Sequence, residues 1–239
     1  MRNFAGVNRL ARCVGFGGFV LASVVGGVST LKAMEFSIFP LEARCDEREC
    51  RRVVVAEGEI GSDAPAQFAR FLRQELQVPG LHAMVFLNSP GGNVESALQL
   101  GALLHDAGAA VVVGRPTATP PTTKRRATSV GTLSVVPGHC ASACVYALMG
   151  AKKRVVPSGA RVGVHRMSAR MVSRDPASGS TLNSRIFAGS TEINALRSYV
   201  SRVGGSQDLI SLAESVPHDQ IRILSGAEVR KYRLGAPSL

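Results

Sequence analysis

The sequence contains no tryptophan, and aromatic residues make up only 5% of its 239 residues. Charged residues are also scarce at 19%, whereas 45% of the residues are hydrophobic and 25 are glycine. A chain of this length and hydrophobicity can bury a substantial core, so we expect one globular domain and a terminal extension. Because large aromatic side chains are few, the strands and helices of that domain should pack through small residues.

Motifs typical of nucleotide and metal sites are missing as well. No P-loop occurs, so no nucleotide cofactor is predicted. A metal site built on Cys45, Cys50 and His139 is disfavoured, because there is no C-x-x-C pair and no second cluster of ligands. Residues 115–129 (RPTATPPTTKRRATS) are predicted to form an inserted, exposed, basic loop. This loop has no aromatic residue on which bases could stack, so nucleic-acid binding is not expected, whereas contact with anionic lipid or an acidic partner stays open.

The first 33 residues contain basic residues but no acidic one. A basic start is followed by an uncharged apolar segment, residues 14–31, and then by Lys32 and Ala33. This order is typical of a signal peptide, and the segment is also long enough to be an uncleaved membrane anchor. We therefore predict a leader or anchor over residues 1–33. Residues 34–239 would form a domain exported from the bacterial cytoplasm, either periplasmic or anchored in the inner membrane and facing the periplasm.

Four cysteines follow the leader: Cys45, Cys50, Cys140 and Cys144. An even number in an oxidising compartment is compatible with disulfides. Cys45 and Cys50 could close a short loop before the first strand. Cys140 and Cys144 either form a bridge or pack as small hydrophobic side chains, and packing is the preferred interpretation.

The segment His139 to Met149, HCASACVYALM, places Ser142 between a turn and an apolar helix. The first N–H groups of a helix have no partner inside it, so they can stabilise the oxyanion that forms when a preceding hydroxyl attacks a carbonyl. The simpler interpretation is that Ser142 is a helix N-cap. A cysteine nucleophile at Cys140 or Cys144 is a further alternative.

Two flanking segments favour the nucleophile. Upstream, a short buried strand from Met84 to Leu87 leads into the turn NSPGG at residues 88–92 and a helix from Val94 to Leu104. Paired glycines let the backbone approach a ligand and offer N–H groups to it. Downstream, two strands within Arg154 to Arg166 end at His165. Histidine is the side chain best suited to accept a proton from serine near neutral pH.

Taken in order, the segments NSPGG, ASAC, GAKKRVVPSGARVGVH and ILSGAEVRKYRLG resemble the Clp protease proteolytic subunit, within the larger Clp/crotonase superfamily. The resemblance covers roughly Val53 to Gly235 and implies a single α/β domain of the Clp/crotonase type with repeated ββα units. It implies a serine peptidase with Ser142 as nucleophile, His165 as general base and the amides of Gly92 and Ala143 as oxyanion hole. It further implies peptide or unfolded-protein substrates and a homo-oligomer.

The chain departs from the family at the third position of the catalytic triad. The family has an aspartate two positions before its F-L-S-A phenylalanine, and Ile221 stands there in this sequence. A histidine base without an orienting group acts more slowly, so a nearby acid is expected to take this role. Asp219 is the predicted replacement, and Glu214 is a second candidate. The connection that leads to Ser142 is also longer than in the family, since it contains the basic loop.

These departures keep two other functions open. One is a catalytically inactive scaffold or binding protein of the same fold, at the membrane or in the periplasm. The other is a crotonase-like acyl thioester enzyme, which export disfavours because such substrates are cytoplasmic. A Ser–Lys dyad would use Lys152 or Lys153, but His165 is the better candidate base.

The remaining segments alternate between strand and helix patterns, which favours the α/β class. The spacing of Ile186, Ile193 and Val200 predicts a helix over Ser184 to Arg202, and Ser225 with Glu228 predicts a capping box. The other predicted elements are strands at Arg52 to Ile60 and Ala109 to Gly114, and helices at Pro65 to Leu76 and Leu209 to Ser215.

Overall fold

Strands and helices alternate along most of the chain in the computed structural model, which describes residues 32–41, 51–75, 81–118 and 133–238. The strands are Glu35–Pro40 (β1), Arg52–Glu57 (β2), Leu81–Asn88 (β3), Ala110–Ala118 (β4), Leu133–Pro137 (β5), His139–Ala141 (β6), Lys153–Val155 (β7), Arg161–Val164 (β8), Ser168–Arg174 (β9), Thr181–Phe187 (β10) and Arg222–Ile223 (β11). The helices are Ala64–Glu75 (α1), Val94–Asp106 (α2), Ala143–Gly150 (α3), Ser190–Arg202 (α4), Asp208–Ser215 (α5) and Gly226–Lys231 (α6).

The largest sheet has the order β1-β2-β3-β4-β5, and β7 also pairs with β4. Strands β2, β3, β4 and β7 are parallel, whereas β1 and β5 are antiparallel to their neighbours. Strands β2, β3 and β4 each contain a near-continuous apolar run, as expected for parallel strands covered on both faces. The mixed α/β class predicted from the sequence is therefore confirmed.

A smaller sheet, β11-β8-β6, continues from the end of the large one. Its central strand β8 is parallel to β6 and antiparallel to β11. The turn after β3 joins this sheet through the bridge between Ser89 and Cys140, with Ser89 N donating to His139 O at 2.9 Å and Ala141 N donating to Ser89 O at 3.1 Å. The end of β3 is thereby held beside β6.

Helix α3 forms the centre of the core, since all eight of its residues are buried. It crosses α2 at two glycines: a Cβ placed on Gly150 would lie 2.0 Å from the carbonyl oxygen of Gly101. The hydroxyl of Tyr199 on α4 donates to the carbonyl of Tyr146 at 3.0 Å, which fixes α4 against the same helix. At this crossing the two helices pack through small residues, as expected from the sequence.

One predicted helix was too long at its start. The helix predicted over Ser184 to Arg202 begins only at Ser190, and Thr181–Phe187 forms a strand paired antiparallel with β9. The backbone hydrogen bonds of this hairpin outweigh the helical spacing of the apolar residues, and Gly189 precedes the helix as its N-cap. The capping box of Ser225 and Glu228 is present as predicted.

The basic loop is shorter than predicted. Residues 115–118 were assigned to it, but they continue β4 and pair with β5, where Arg115 lies opposite Val136. Arg115 also binds the carboxylate of Glu57, so it is not a free loop cation. The rest of the predicted loop, the leader or anchor up to residue 31, and Cys45 and Cys50 lie outside the described residues.

No helix within the described ranges is both long and apolar enough to cross a bilayer.

We predict that Gly150→Ala lowers the free energy of unfolding by about 1–3 kcal/mol, because the added methyl group forces the backbones of α2 and α3 apart. Urea denaturation measures this change. Gly226→Ala is the matched control, since a Cβ there meets only the end of the Arg230 side chain, at 3.8 Å. The control should change stability by about 0.5 kcal/mol or less. Equal stability of the two variants would contradict the close helix crossing.

Candidate active site

Ser142 occupies an unusual position between β6 and α3. Its backbone has φ 56° and ψ −126°, and among the described residues only Arg233 is another non-glycine residue with positive φ. Such conformations are costly and persist only where the surroundings fix them. Ser142 stands at the N-cap position of α3, but its side chain makes no capping hydrogen bond. The hydroxyl is therefore available for a different contact.

That contact is with His165. The Ser142 Oγ lies 2.7 Å from His165 Nε2. The two residues meet because β6 and β8 are parallel, with Ala141 opposite Gly163, so the residues that follow both strands emerge at the same edge. The amide of Ser142 donates to the Gly163 carbonyl at 2.9 Å, which fixes the backbone of the serine to the strand that carries the histidine. Both side chains are half-buried, so part of each remains exposed to solvent.

The second ring nitrogen of His165 lies 2.8 Å from the backbone carbonyl oxygen of His218. A carbonyl oxygen only accepts hydrogen bonds, so this contact places the proton of the neutral ring on Nδ1. Nε2 is then free to accept the hydroxyl proton of Ser142. Asp219, predicted from the sequence to orient His165, is exposed and makes no hydrogen bond to the ring within the part of the chain that is described.

Glu214, the second candidate for orienting the base, is engaged elsewhere. Its carboxylate accepts a hydrogen bond from the Met167 amide at 3.2 Å and lies 3.5 Å from the Arg166 guanidinium. Arg166 stacks over the ring of Phe187, with 4.5 Å between the guanidinium carbon and the ring centroid, and that ring contacts the His218 ring edge-on. These contacts surround the segment whose carbonyl binds His165, and sequence patterns gave no signal for them.

The glycine turn lies directly against the serine. A Cβ on Gly91 would come within 2.8 Å of the Ser142 Cβ and 3.1 Å of the Ala143 amide nitrogen. Gly91 and Gly92 have φ values of 108° and 136°, which side-chain-bearing residues rarely adopt. The amides of Gly92 and Ala143 donate to no acceptor among the described residues. The two predicted oxyanion-hole donors are thus both without an internal partner, on segments that meet at Ser142.

Asn88, predicted from the sequence only as a turn residue, holds the glycine turn in place. The side chain is 2% exposed, accepts from the His139 amide at 2.9 Å and donates to Glu57 at 3.1 Å. The hydrogen bond from Arg115 holds the pKa of Glu57 below its ordinary value, while burial and then the charge of Arg115 lower the pKa of His139. Asn88 therefore connects the large sheet to the segment that carries Ser142.

A cavity of about 420 Å³ lies beside Asn88 and Pro90 of this turn. It is lined by Glu57, Arg115 and His139 among others, but not by Ser142 or His165. Its acidic and basic groups are already paired, since Arg115 binds Glu57 and Lys32 lies 2.7 Å from Glu35. The cavity is thus separate from the Ser142–His165 pair.

Cys140 and Cys144 are joined by a disulfide, so the preferred interpretation that they only pack as free side chains was wrong. Both residues are fully buried, and bonded sulfurs are not nucleophiles. Lys152, considered for a Ser–Lys dyad, lies 2.6 Å from His105 Nε2 instead. Within the described residues there is no group of His, Cys, Asp and Glu suited to a metal ion.

Comparison with models of known protein families finds no match, and neither does comparison with curated protein sequences. Comparison with solved structures finds ClpP1 from Listeria monocytogenes, with a TM-score of 0.44 and 20% identity over 78% of this chain and 91% of that chain. It also finds the catalytic domain of the ClpP protease from Plasmodium falciparum, with a TM-score of 0.40 and 15% identity over 74% and 80%. A mutant of 1510-N, a membrane-bound stomatin-specific protease, is similar with a TM-score of 0.42 and 18% identity over 74% and 72%.

The contact of His165 with a carbonyl generates a prediction about Asp219. We expect Asp219→Asn to label with a fluorophosphonate, a reagent for activated serines, at a rate within about twofold of the wild type. Losing an orienting aspartate from a Ser-His-Asp triad lowers the rate by about 10⁴. His165→Ala, measured alongside, should lose labelling. A drop in Asp219→Asn as large as that in His165→Ala would contradict the orienting role of the His218 carbonyl.

Proposed function

We propose that this chain is a serine peptidase that hydrolyses peptide bonds through Ser142 and His165. The observation that carries the proposal is the 2.7 Å contact between Ser142 Oγ and His165 Nε2, made by a serine with a strained backbone at the start of a buried helix. A serine that is not reactive gains nothing from this conformation, because a capping serine adopts ordinary extended backbone angles and bonds to its helix. Ser142 has neither extended backbone angles nor a side-chain hydrogen bond to its helix.

In the first half of the reaction, the Ser142 oxygen attacks the carbonyl carbon of the scissile peptide bond. His165 Nε2 takes the hydroxyl proton, and the resulting imidazolium keeps its second proton on Nδ1, directed at the His218 carbonyl. General-base assistance of this kind contributes about 10²–10⁴ in rate. The amides of Gly92 and Ala143 donate to the developing oxyanion, and a single donor of this type is worth about 10²–10³.

In the second half, His165 returns the proton to the leaving amine, and an acyl enzyme remains on Ser142. Water then attacks the ester with the same base and the same oxyanion donors. A neutral carbonyl stabilises the imidazolium less than a carboxylate does, so we expect turnover below that of a Ser-His-Asp enzyme. The missing family aspartate thus lowers the rate without removing the mechanism.

The peptide substrate is proposed from the resemblance of the sequence motifs to Clp-type proteases, and short or unfolded segments are the expected class. Export, with residues 1–33 as cleaved leader or retained anchor, is proposed from the order of basic and apolar residues. Formation of the Cys140–Cys144 bond supports an oxidising compartment, because such bonds rarely persist in the bacterial cytoplasm.

The test is fluorophosphonate labelling of the purified full chain, with Ser142→Ala and His165→Ala in parallel. We expect labelling of the wild type, complete loss in Ser142→Ala and a loss of about 10²-fold or more in His165→Ala. Cleavage of a library of unstructured fluorogenic peptides then identifies the substrate class. Circular dichroism of each variant establishes that the chain is folded.

The other candidate functions give different outcomes in the same experiment. A folded wild-type chain that does not label is a scaffold or binding protein, and the peptidase proposal fails. A chain that labels and turns over an acyl thioester, but cleaves no peptide, belongs to the crotonase-like alternative. Ser201→Ala serves as the matched control for labelling, because Ser201 is exposed on α4 and should not affect the rate.

The predicted homo-oligomer is proposed to form through the hairpin of β9 and β10. Its register places Leu182, Met171 and Ile186 on one face, where they are 67%, 47% and 44% accessible, while Val172 and Phe187 lie on the opposite face. A two-stranded hairpin with an uncovered apolar face is marginal on its own. A second copy of the chain offers the same face and would cover it.

We expect Leu182→Ser to shift the assembly toward the monomer, because it places a polar group in the apolar contact. Sedimentation velocity measures the shift. Asn183→Ser is the matched control, since Asn183 is the next residue on the same strand but points to the opposite face. Identical sedimentation of the two variants and the wild type would overturn the proposed interface.

A further inference from the structure

We infer that the Cys140–Cys144 disulfide positions Ser142 for attack, so that the reactivity of the serine depends on this bond. The inference rests on the proposed function of Ser142 as nucleophile. It assigns a role to two residues that the reaction itself does not use. Neither sulfur touches the reacting atoms, so Cys140 and Cys144 are positioning residues.

The bond spans the serine. Cys140 lies in β6, Cys144 is the second residue of α3, and Ser142 is midway between them. The Cα atoms of the two cysteines are 5.2 Å apart, and both residues are fully buried. The covalent ring therefore contains the residue with φ 56° and ψ −126° and connects its two flanking elements directly.

Both ends of the ring are anchored in rigid parts of the fold. Cys140 is paired with Val162 in the parallel ladder of β6 and β8, and Val145 on α3 donates to the Ser142 carbonyl at 3.0 Å. The strand fixes the position of the ring relative to His165, and the buried helix fixes the other side. The bond adds a covalent restraint to the hydrogen bonds and the packing of Gly91 and α3 that oppose relaxation of Ser142 to negative φ, a rotation that would swing Cβ and Oγ relative to His165 Nε2.

The length of the loop points to local positioning more than to global stability. A disulfide stabilises a protein mainly by restricting its unfolded chain, and a bridge between residues four positions apart closes a very short loop. Two free cysteines at these buried positions would still pack as small apolar side chains. The distinctive effect of the bond is the restriction it places on Ser142.

The chemistry of the bond connects this arrangement to the redox state of the surroundings. Oxidation of the two thiols forms the S–S bond and releases two protons and two electrons, which an external disulfide accepts by exchange. Reduction by a dithiol runs in the opposite direction and leaves two buried thiols. We therefore expect Ser142 to be more reactive in the protein with the disulfide bond than in the dithiol form.

The experiment measures the rate of fluorophosphonate labelling of the full chain before and after treatment with dithiothreitol. Alkylation and mass spectrometry establish that the Cys140–Cys144 bond is open, and circular dichroism that the protein is folded. We expect reduction to lower the rate tenfold or more, and removal of the reductant in the presence of oxidised glutathione to restore it. With a fluorogenic peptide, kcat should fall while KM stays unchanged, because the change affects the nucleophile and not substrate binding.

Two variants separate the bond from the rest of the cysteines. Cys140→Ala/Cys144→Ala should label as slowly as the reduced wild type and should not respond to dithiothreitol. Cys45→Ser/Cys50→Ser should label and respond like the wild type. If the alanine pair does not fold, reduction and reoxidation of the wild type decide the question.

The outcomes keep this inference apart from the proposed function. Folded, fully reduced wild type that labels as fast as the oxidised form overturns the positioning role and leaves the peptidase proposal intact. An oxidised wild type that does not label at all overturns the peptidase proposal and, with it, the inference.

Discussion

Strand β6 lies parallel to β8 for only three residue pairs, and this short ladder determines which side chains can meet at the site. The chain leaves both strands at the same edge, where Ser142 and His165 follow directly. The amide of Ser142 continues the pairing by donating to Gly163. The ladder brings Ser142 and His165 into contact, and the glycine turn and the carbonyl of His218 pack against this pair.

Two links join the large sheet to the site: the backbone pairing of Ser89 with β6 and one buried side chain, that of Asn88. Asn88 accepts from the His139 amide and donates to Glu57, which in turn binds Arg115. Burying an amide side chain is costly unless its groups are paired, so this arrangement is favourable only in one relative position of β3 and β6. That position brings Gly91 against Ser142.

The third group of the proposed catalytic machinery is a backbone carbonyl in place of a carboxylate. The segment around His218 is held by the contact of its ring with Phe187 and by the pairing of β11 with β8, which follows four residues later. A carbonyl fixes the tautomer of His165 as well as a carboxylate does, but it adds less charge stabilisation to the imidazolium. The aspartate of a Ser-His-Asp triad both orients the histidine and stabilises its positive charge. The His218 carbonyl orients His165 but stabilises that charge less.

Local patterns were sufficient to predict the α/β class, most strands and helices, and the order of glycine turn, serine and histidine. Helical spacing of apolar residues and continuous apolar runs both arise within a single element, so they can be recognised without knowledge of the fold. The start of α4 was misplaced, because residues 184–187 follow a helical spacing while their backbone pairs with β9 across a turn. Arg115 was assigned to a loop for the same reason, since its strand partner and Glu57 are distant in sequence.

The sequence by itself determined which chemical groups are present: a serine before a small-residue helix, a histidine after a strand, paired glycines, and an isoleucine in place of an acid at position 221. Only the tertiary structure decided that Nδ1 of His165 meets the His218 carbonyl and not Asp219, and that Cys140 and Cys144 bond across Ser142. Both contacts depend on where side chains point over distances of a few ångströms. They depend on how β6, β8 and α3 are joined in space, and spacing along the chain does not encode that geometry.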